Sequence, residues 1–234
     1  MATERVLKPF LWVLATPLSL ASLLLERFAP NKLQADLERC LELTSRLGNS
    51  VPAAFVDAVI LAEDHRNGLH PGVDVFAMAR AVWVRLRFGQ VQGASTIEQQ
   101  FVRVVTNRNE RTVRRKVREQ ALALMLVRRT SKRQIASAYL AVAFYGSGSV
   151  GIQGLRQRFG QNLEKVSFPQ ALGMVAQLKY PRPRRSSKEW NSKLAARIDA
   201  LHRLGAGIAN KSLQRTFDPQ PILLSQNGPR LKRR

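Results

Sequence analysis

Cysteine is nearly absent from this chain. Cys40 stands alone among 234 residues, so no intrachain disulfide can form, and cysteine usage does not separate an oxidising from a reducing compartment. Histidine is scarce as well, with only His65, His70 and His202. Neither HExxH nor CxxC occurs, so no zinc centre is legible. No SxxK motif occurs either, which excludes a serine acyl-transfer centre built on it. Aromatic residues are 7% of the chain and do not interleave with the basic ones. With no recognised nucleic-acid module present, that argues against a nucleic-acid binder. Internal repeats and alternating apolar–polar runs are missing, which leaves little room for a sheet and predicts a mainly α fold. Acidic residues are outnumbered, 16 against 38 Lys and Arg, for a net charge of +22.

A field that strong attracts anions: nucleic acid, lipid headgroups or pyrophosphate. Charge alone does not choose among them, and many of these side chains simply solvate the surface. A hydrophobic share of 45% allows a sizeable core, and the length suits one domain or one domain plus an anchor. From Pro9 to Leu25 the chain reads PFLWVLATPLSLASLLL, 17 residues without charge. That is the short end of what crosses a bilayer as a helix. A cleaved signal peptide is the runner-up, but Glu26, Arg27 and Phe28 supply no small-x-small cleavage site. Residues 1–30 are therefore read as a membrane anchor. Arg5 and Lys8 before it favour an inside N-terminus and an outside domain.

Residues 31–50 read as a polar, partly helical connector, with Leu33, Leu37, Leu41 and Leu43 near helical spacing. Ser50 is a candidate cap for a helix ending near Glu63. Phe76, Ala79, Val82 and Trp83 mark a helix over 75–88, and Ser95 caps another to Val105. Val113, Val117, Ala121 and Leu124 fall on one face of a helix over 112–128. Ser131 with Gln134, and Ser167 with Gln170, form capping boxes. A Pro/Arg breaker spans 179–185, a last helix spans about 191–204, and residues 206–234 read as a basic, irregular tail. The main domain falls at 51–205.

Four segments carry chemistry. In AEDHRNGLHPG, Glu63 closes a helix, where the negative dipole end favours proton uptake, as a general base requires; an ordinary solvated Glu-Asp pair is the bland alternative. In QGASTIEQQFVR, a helix N-terminus at Ser95 and Thr96 suits phosphate oxygens, with Gln99, Gln100 and Arg103 following on the next turn. In RRKVRE, Arg115 and Lys116 lie four and three residues before Glu119 and can meet it. Such a cluster clamps a pyrophosphate or, more commonly, is a solvated ion-pair face. The fourth, SKRQIASAYLAVAFYGSGSVGIQG, holds a literal GxGxxG from Gly146 to Gly151. A helix precedes it where a dinucleotide site needs a strand, so it reads as a close-packing glycine loop.

In this order and spacing the four resemble the motifs of the peptidoglycan glycosyltransferases, found as the transglycosylase module of class A penicillin-binding proteins and as monofunctional enzymes. That pattern runs EDxxFxxHxG, GGSTxxQQ, RKxxE and SKxxIxxxYLNxxxxGxGxxG; here it stands as EDHRNGLHPG, GASTIEQQ, RKVRE and SKRQIASAYLAVAFYGSGSVG, within about residues 50–205. The resemblance implies a lysozyme-like helical domain with a small membrane-proximal jaw. It implies Glu63 as the base on the acceptor hydroxyl and Glu119 as the second essential carboxylate. It implies Arg115 and Lys116 on the donor diphosphate, Ser95, Thr96, Gln100 and Arg103 along the donor site, and Asp64 and His70 in support of the first motif. The substrate would be a lipid-linked disaccharide in the bacterial inner membrane, with the domain on the outer side, a separate transpeptidase as partner and no nucleic acid. These residues do not fix a cofactor; the resemblance leaves room for a divalent cation, Mg or Mn. Several positions depart from the pattern: Asn67 replaces Phe, Ala94 replaces Gly, Arg103 replaces Lys and Ala141 replaces Asn, while Glu98 replaces Thr and adds negative charge near the proposed anion site. They keep open a non-catalytic relative that binds lipid-linked precursor. A lysozyme-like hydrolase would also use a carboxylic acid.

Overall fold

The computed structural model describes residues 2–28 and 31–216. Helix α1 (Ala2–Arg27) continues through Pro9 and Pro17. Its segment Leu7–Leu24, of mean hydropathy 1.5, is the one stretch among the described residues long and apolar enough to cross a bilayer. Leu11, Ala15 and Ser22 are buried along one side, while Trp12, Val13, Leu20 and Leu24 face outward. Beyond that stretch Glu26 pairs with Arg128 at 2.6 Å and also with Arg129, and Arg128 donates to the Ser22 hydroxyl at 2.9 Å.

The supposed connector is one continuous helix, α2 (Asn31–Leu47), and it belongs to the core. Leu33, Leu37, Cys40 and Thr44 make its buried line, with Leu41 and Leu43 flanking it. Ser50 does not cap the next helix; its hydroxyl donates to the Leu47 carbonyl, and α3 (Ala53–Glu63) starts behind Pro52 without a side-chain cap. Helix α3 ends at Glu63, as its sequence suggests.

Helix α4 (Val75–Phe88) is capped by Asp74. Its row of Phe76, Val82 and Trp83 points away from the protein, whereas Ala77 and Val84 are buried. Thr96, not Ser95, caps α5 (Ile97–Thr106), because its hydroxyl accepts the Gln99 N–H. In α6 (Val113–Val127) the expected face is split: Val113 and Val117 are exposed, while every residue from Glu119 to Leu126 is buried. Helix α7 (Lys132–Val142) starts with the predicted box of Ser131 and Gln134, and α9 (Phe168–Val175) with that of Ser167 and Gln170.

Helix α5 packs between α6 and α7, burying Ile97 and Phe101 completely; α3 lies on α7 and α9. The GxGxxG segment forms a short antiparallel hairpin, β1 (Phe144–Gly146) and β2 (Ser149–Val150), running into α8 (Gly151–Phe159). Gly146 has φ 144°, and a Cβ there would stand 2.4 Å from the Arg182 nitrogen. That contact ties the Pro/Arg stretch to the hairpin, through Ser147 N–H to the Arg182 carbonyl and Arg182 N–H to the Tyr145 carbonyl. Gly151, at φ 54°, presses as closely on the Ala141 carbonyl. The last helix, α10 (Lys188–Thr216), continues through residues 206–216, which the sequence had suggested to be irregular; residues 217–234 of that tail lie outside the described residues.

Candidate active site

Helix α5 organises the chemistry because it carries Gln100 and Arg103 one turn apart. Gln100 Nε2 donates to Glu63 Oε2 at 3.2 Å, and its Oε1 accepts from the Tyr139 hydroxyl at 2.7 Å. The first bond fixes which way the amide points, because a carboxylate only accepts. Burial, reinforced by the Glu63 charge, pushes the Tyr139 phenol well above its ordinary pKa, so it remains a donor. The other Glu63 oxygen accepts from Arg197 Nη2 at 3.3 Å, and the same guanidinium nitrogen donates to the Ala62 carbonyl at 2.6 Å.

One turn on, Arg103 grips Glu119 with two nitrogens, Nε to Oε1 at 2.8 Å and Nη2 to Oε2 at 3.3 Å. This fork is available to arginine and not to the lysine of the family pattern. Arg115 pairs with the same carboxylate, and Lys116 Nζ stands 3.9 Å from it. Three cations therefore converge on one carboxylate that is 2% exposed. Lys116 also donates to Ser95 Oγ at 3.0 Å and to Gln99 Oε1, while Arg103 Nη2 reaches Ser95 Oγ at 3.4 Å. Burial pushes the Lys116 ammonium down to about 8; Glu119 opposes that shift, and Arg103 and Arg115 add to it.

A cleft of about 600 Å³ runs along this wall. Of the ten predicted site residues, Glu63, Asp64, Ser95, Thr96, Gln100 and Arg103 line it. Glu119, Arg115, Lys116 and His70 do not. Glu119 lies behind Arg103, so the two glutamates are joined through α5 rather than facing each other across open space. Five Lys and Arg residues and three carboxylates line the cleft, a surplus of positive charge. Another cavity of about 620 Å³, beside the hairpin and α10, holds none of the predicted residues.

Two expectations need correction. The N-terminus of α5 is not open to a phosphate: the Ile97 N–H donates to Asp64 Oδ2 at 3.3 Å. The Thr96 hydroxyl is committed too, donating to the Gly72 carbonyl and accepting from Gln99. Glu98, expected to add negative charge to the anion site, is fully buried and turns inward, 3.1 Å from Lys132 Nζ and 3.0 Å from Asn67 Nδ2.

Below the cleft, Asp64 accepts from Asn67 Nδ2 at 3.1 Å and from His70 Nε2 at 3.1 Å. Burial would raise the Asp64 pKa, but the bonds from His70 and Asn67 and the charge of Lys132 outweigh it and hold the carboxyl below its ordinary value. Asp64, His70 and Glu98 place ligand atoms within 4.8 Å of one another, as a metal centre would. Lys132 Nζ already lies 3.1 Å from Glu98 Oε1 and 3.3 Å from His70 Nδ1, so an ammonium fills the cation position and the set does not fit a divalent ion.

Arg197, Tyr139 and Lys132 were not singled out from the sequence. Lys132 and Tyr139 stand inside the fourth motif, SK and YL, where a signal existed. Arg197 lies on a plain helix and carries none.

A model of the transglycosylase family matches residues 41–203. The chain is 30% identical over 186 residues to penicillin-binding protein 1A of Rickettsia felis, covering 77% of this chain and 24% of that protein. It is 38% identical over 136 residues to penicillin-binding protein 1B of Vibrio cholerae, covering 56% and 18%. Penicillin-binding protein 1A of Aquifex aeolicus is 34% identical over 135 residues, covering 57% and 19%. The matched segments thus span a quarter or less of these relatives' length.

Proposed function

Because the chain belongs to the transglycosylase family, we propose that it polymerises lipid-linked disaccharide into peptidoglycan strands, with release of polyprenyl diphosphate. The observation that carries this reading is the single face of α5, which joins Glu63 through Gln100 to the cations on Glu119 through Arg103.

Glu63 takes the proton from the acceptor sugar's hydroxyl. The freed oxygen bonds to the anomeric carbon of the donor, and the bond from that carbon to the diphosphate breaks with inversion. The diphosphate leaves with the electron pair. Gln100 and Arg197 hold one Glu63 oxygen each, which sets the carboxylate's direction. Arg103 and Lys116, converging at Ser95, stand where the departing charge is met. Glu119 keeps three like charges together that would otherwise repel.

The apolar stretch of α1 and the outward row on α4 support a membrane setting, with the domain on the outer face of the inner membrane, as Arg5 and Lys8 before the stretch suggest. A precursor-binding relative without turnover is the second reading, motivated by Asn67, Glu98 and Ala141. All three are buried and none lines the cleft, which favours the enzyme. The test is polymerisation of lipid-linked disaccharide by the purified protein. Glycan should form and should vanish in Glu63→Gln; wild-type polymer from that variant removes Glu63 from the chemistry.

A further inference from the structure

Two departures from the family pattern, Asn67 and Glu98, lie 31 residues apart in sequence and touch in space. Asn67 uses one amide nitrogen to bridge two carboxylates, Asp64 Oδ2 at 3.1 Å and Glu98 Oε1 at 3.0 Å. Lys132 closes the group. Its ammonium carries three N–H bonds and meets three acceptors: the Asn67 carbonyl, His70 Nδ1 and Glu98 Oε1. All of this is enclosed. Glu98 is 0% exposed, His70 2%, Asn67 4% and Asp64 7%.

The charges explain why the group holds together. Asp64 and Glu98 bring two negative charges, and Lys132 brings one positive. The remainder is met by the N-terminus of α5, where Ile97 donates to Asp64 and Glu98 sits in the first turn. The proton on His70 is placed by the same contacts. Its Nδ1 accepts the Gly72 N–H at 3.2 Å and faces Lys132, another donor, so the ring proton lies on Nε2 and points at Asp64. Asp64 directly follows Glu63. Whatever fixes Asp64 fixes the end of α3, and with it the direction of the Glu63 side chain.

We infer that Glu98 is a positioning residue for this active site: it anchors Lys132 and, through Asn67, braces Asp64 and the adjoining Glu63. The inference rests on the assignment of Glu63 as base. It turns two apparent defects into one coupled replacement, in which the buried carboxylate brought by Glu98 is matched by the amide brought by Asn67.

The test combines kinetics with imidazole NMR on the whole protein in detergent. Glu98→Gln keeps the shape and removes the charge. Its kcat for polymerisation should fall at least about tenfold while KM stays within about twofold. Lys132→Met should fall similarly, and the double variant should be no slower than the slower single, because both act through one chain of contacts. With three histidines, ¹⁵N-labelled protein gives an assignable imidazole spectrum once His65→Gln and His202→Gln identify the other two. Wild-type His70 should show the Nε2–H tautomer, and Glu98→Gln should shift the His70 Nδ1 resonance, because Lys132 loses its anchor beside that nitrogen. Mn²⁺ should leave the wild-type His70 signals sharp.

Wild-type kcat in Glu98→Gln, an unmoved His70 Nδ1 resonance in that variant, or a double variant slowed by the product of the singles would each overturn the inference. Mn²⁺ broadening of His70 would also overturn it, since a metal would then take the place given to Lys132. A wild-type chain that makes no polymer would sink the functional reading and this inference together; an active wild type with an equally active Glu98→Gln would sink this one alone.

Discussion

Lys116 should give polymerisation an alkaline limit. In the free protein burial brings its ammonium down to about 8, and the neighbours Arg103 and Arg115 act in the same direction against Glu119. The proton is lost as pH rises, so the positive clamp is present below about pH 8 and absent above it. kcat/KM, which reports the free enzyme, should fall about tenfold for each pH unit above that point. A bound diphosphate adds negative charge beside the ammonium and holds its proton more tightly, so the limb in kcat should lie at higher pH. Removing the side chain altogether in Lys116→Ala should cost about 2.7–4 kcal/mol of transition-state stabilisation, or roughly a hundred- to a thousandfold. The wild-type profile should therefore descend for two to three units and level off at the rate of the Ala variant, at roughly pH 10 to 11. Lys116→Arg, whose guanidinium stays charged, should abolish the limb even if its plateau is lower. The assay is initial rate against pH with lipid-linked disaccharide in constant-ionic-strength buffers. Tyr139 is pushed upward, Cys40 is pushed up to about 12 and His65 is lowered, so none of these should mimic the limb. Stability should move the other way. The unfolded chain holds this proton more tightly than the folded one, so the Lys116 contribution to unfolding free energy should rise with pH between about 8 and 10.5. A Lys116→Ala enzyme with the wild-type limb, or a wild type flat to pH 9.5, would refute the reasoning.

Glu119→Gln should lose more than about a hundredfold in kcat while circular dichroism stays unchanged, since Arg103, Arg115 and Lys116 lose the charge that gathers them; full activity in that variant would remove Glu119 from the mechanism. Gly146→Ala should destabilise by roughly 1–3 kcal/mol, because it combines a positive φ with a clash against the Arg182 backbone. A thermal melt reads this, and an unchanged Tm would contradict the close approach of the hairpin and the Pro/Arg stretch.

The parts legible in the sequence are those that local chemistry determines. The two capping boxes, the end of α3 at Glu63 and the pairing of Arg115 and Lys116 with Glu119 each need only residues a turn apart. What escaped is non-local. Arg197 reaches Glu63 across 134 positions from a helix without a motif. Glu98 looked like an intrusion on an anion site because its partners, Asn67 and Lys132, come from other segments. Periodicity also leaves open what a face meets. The row Phe76, Val82, Trp83 is apolar at helical spacing, yet it points outward, as does the Val113–Val117 part of α6. An apolar stripe looks the same whether protein or lipid covers it.

Glu26 clasps Arg128 and Arg129 beside the C-terminal end of α6, and Leu11 and Ala15 are sealed against the protein. A helix fastened in this way is a keel, not a mooring line. With α1 seated in a bilayer, the α5 wall would be carried at a set height and tilt relative to the lipid. Reach toward an acceptor would then come from drift of the whole molecule in the membrane plane, with the mouth fixed relative to α1.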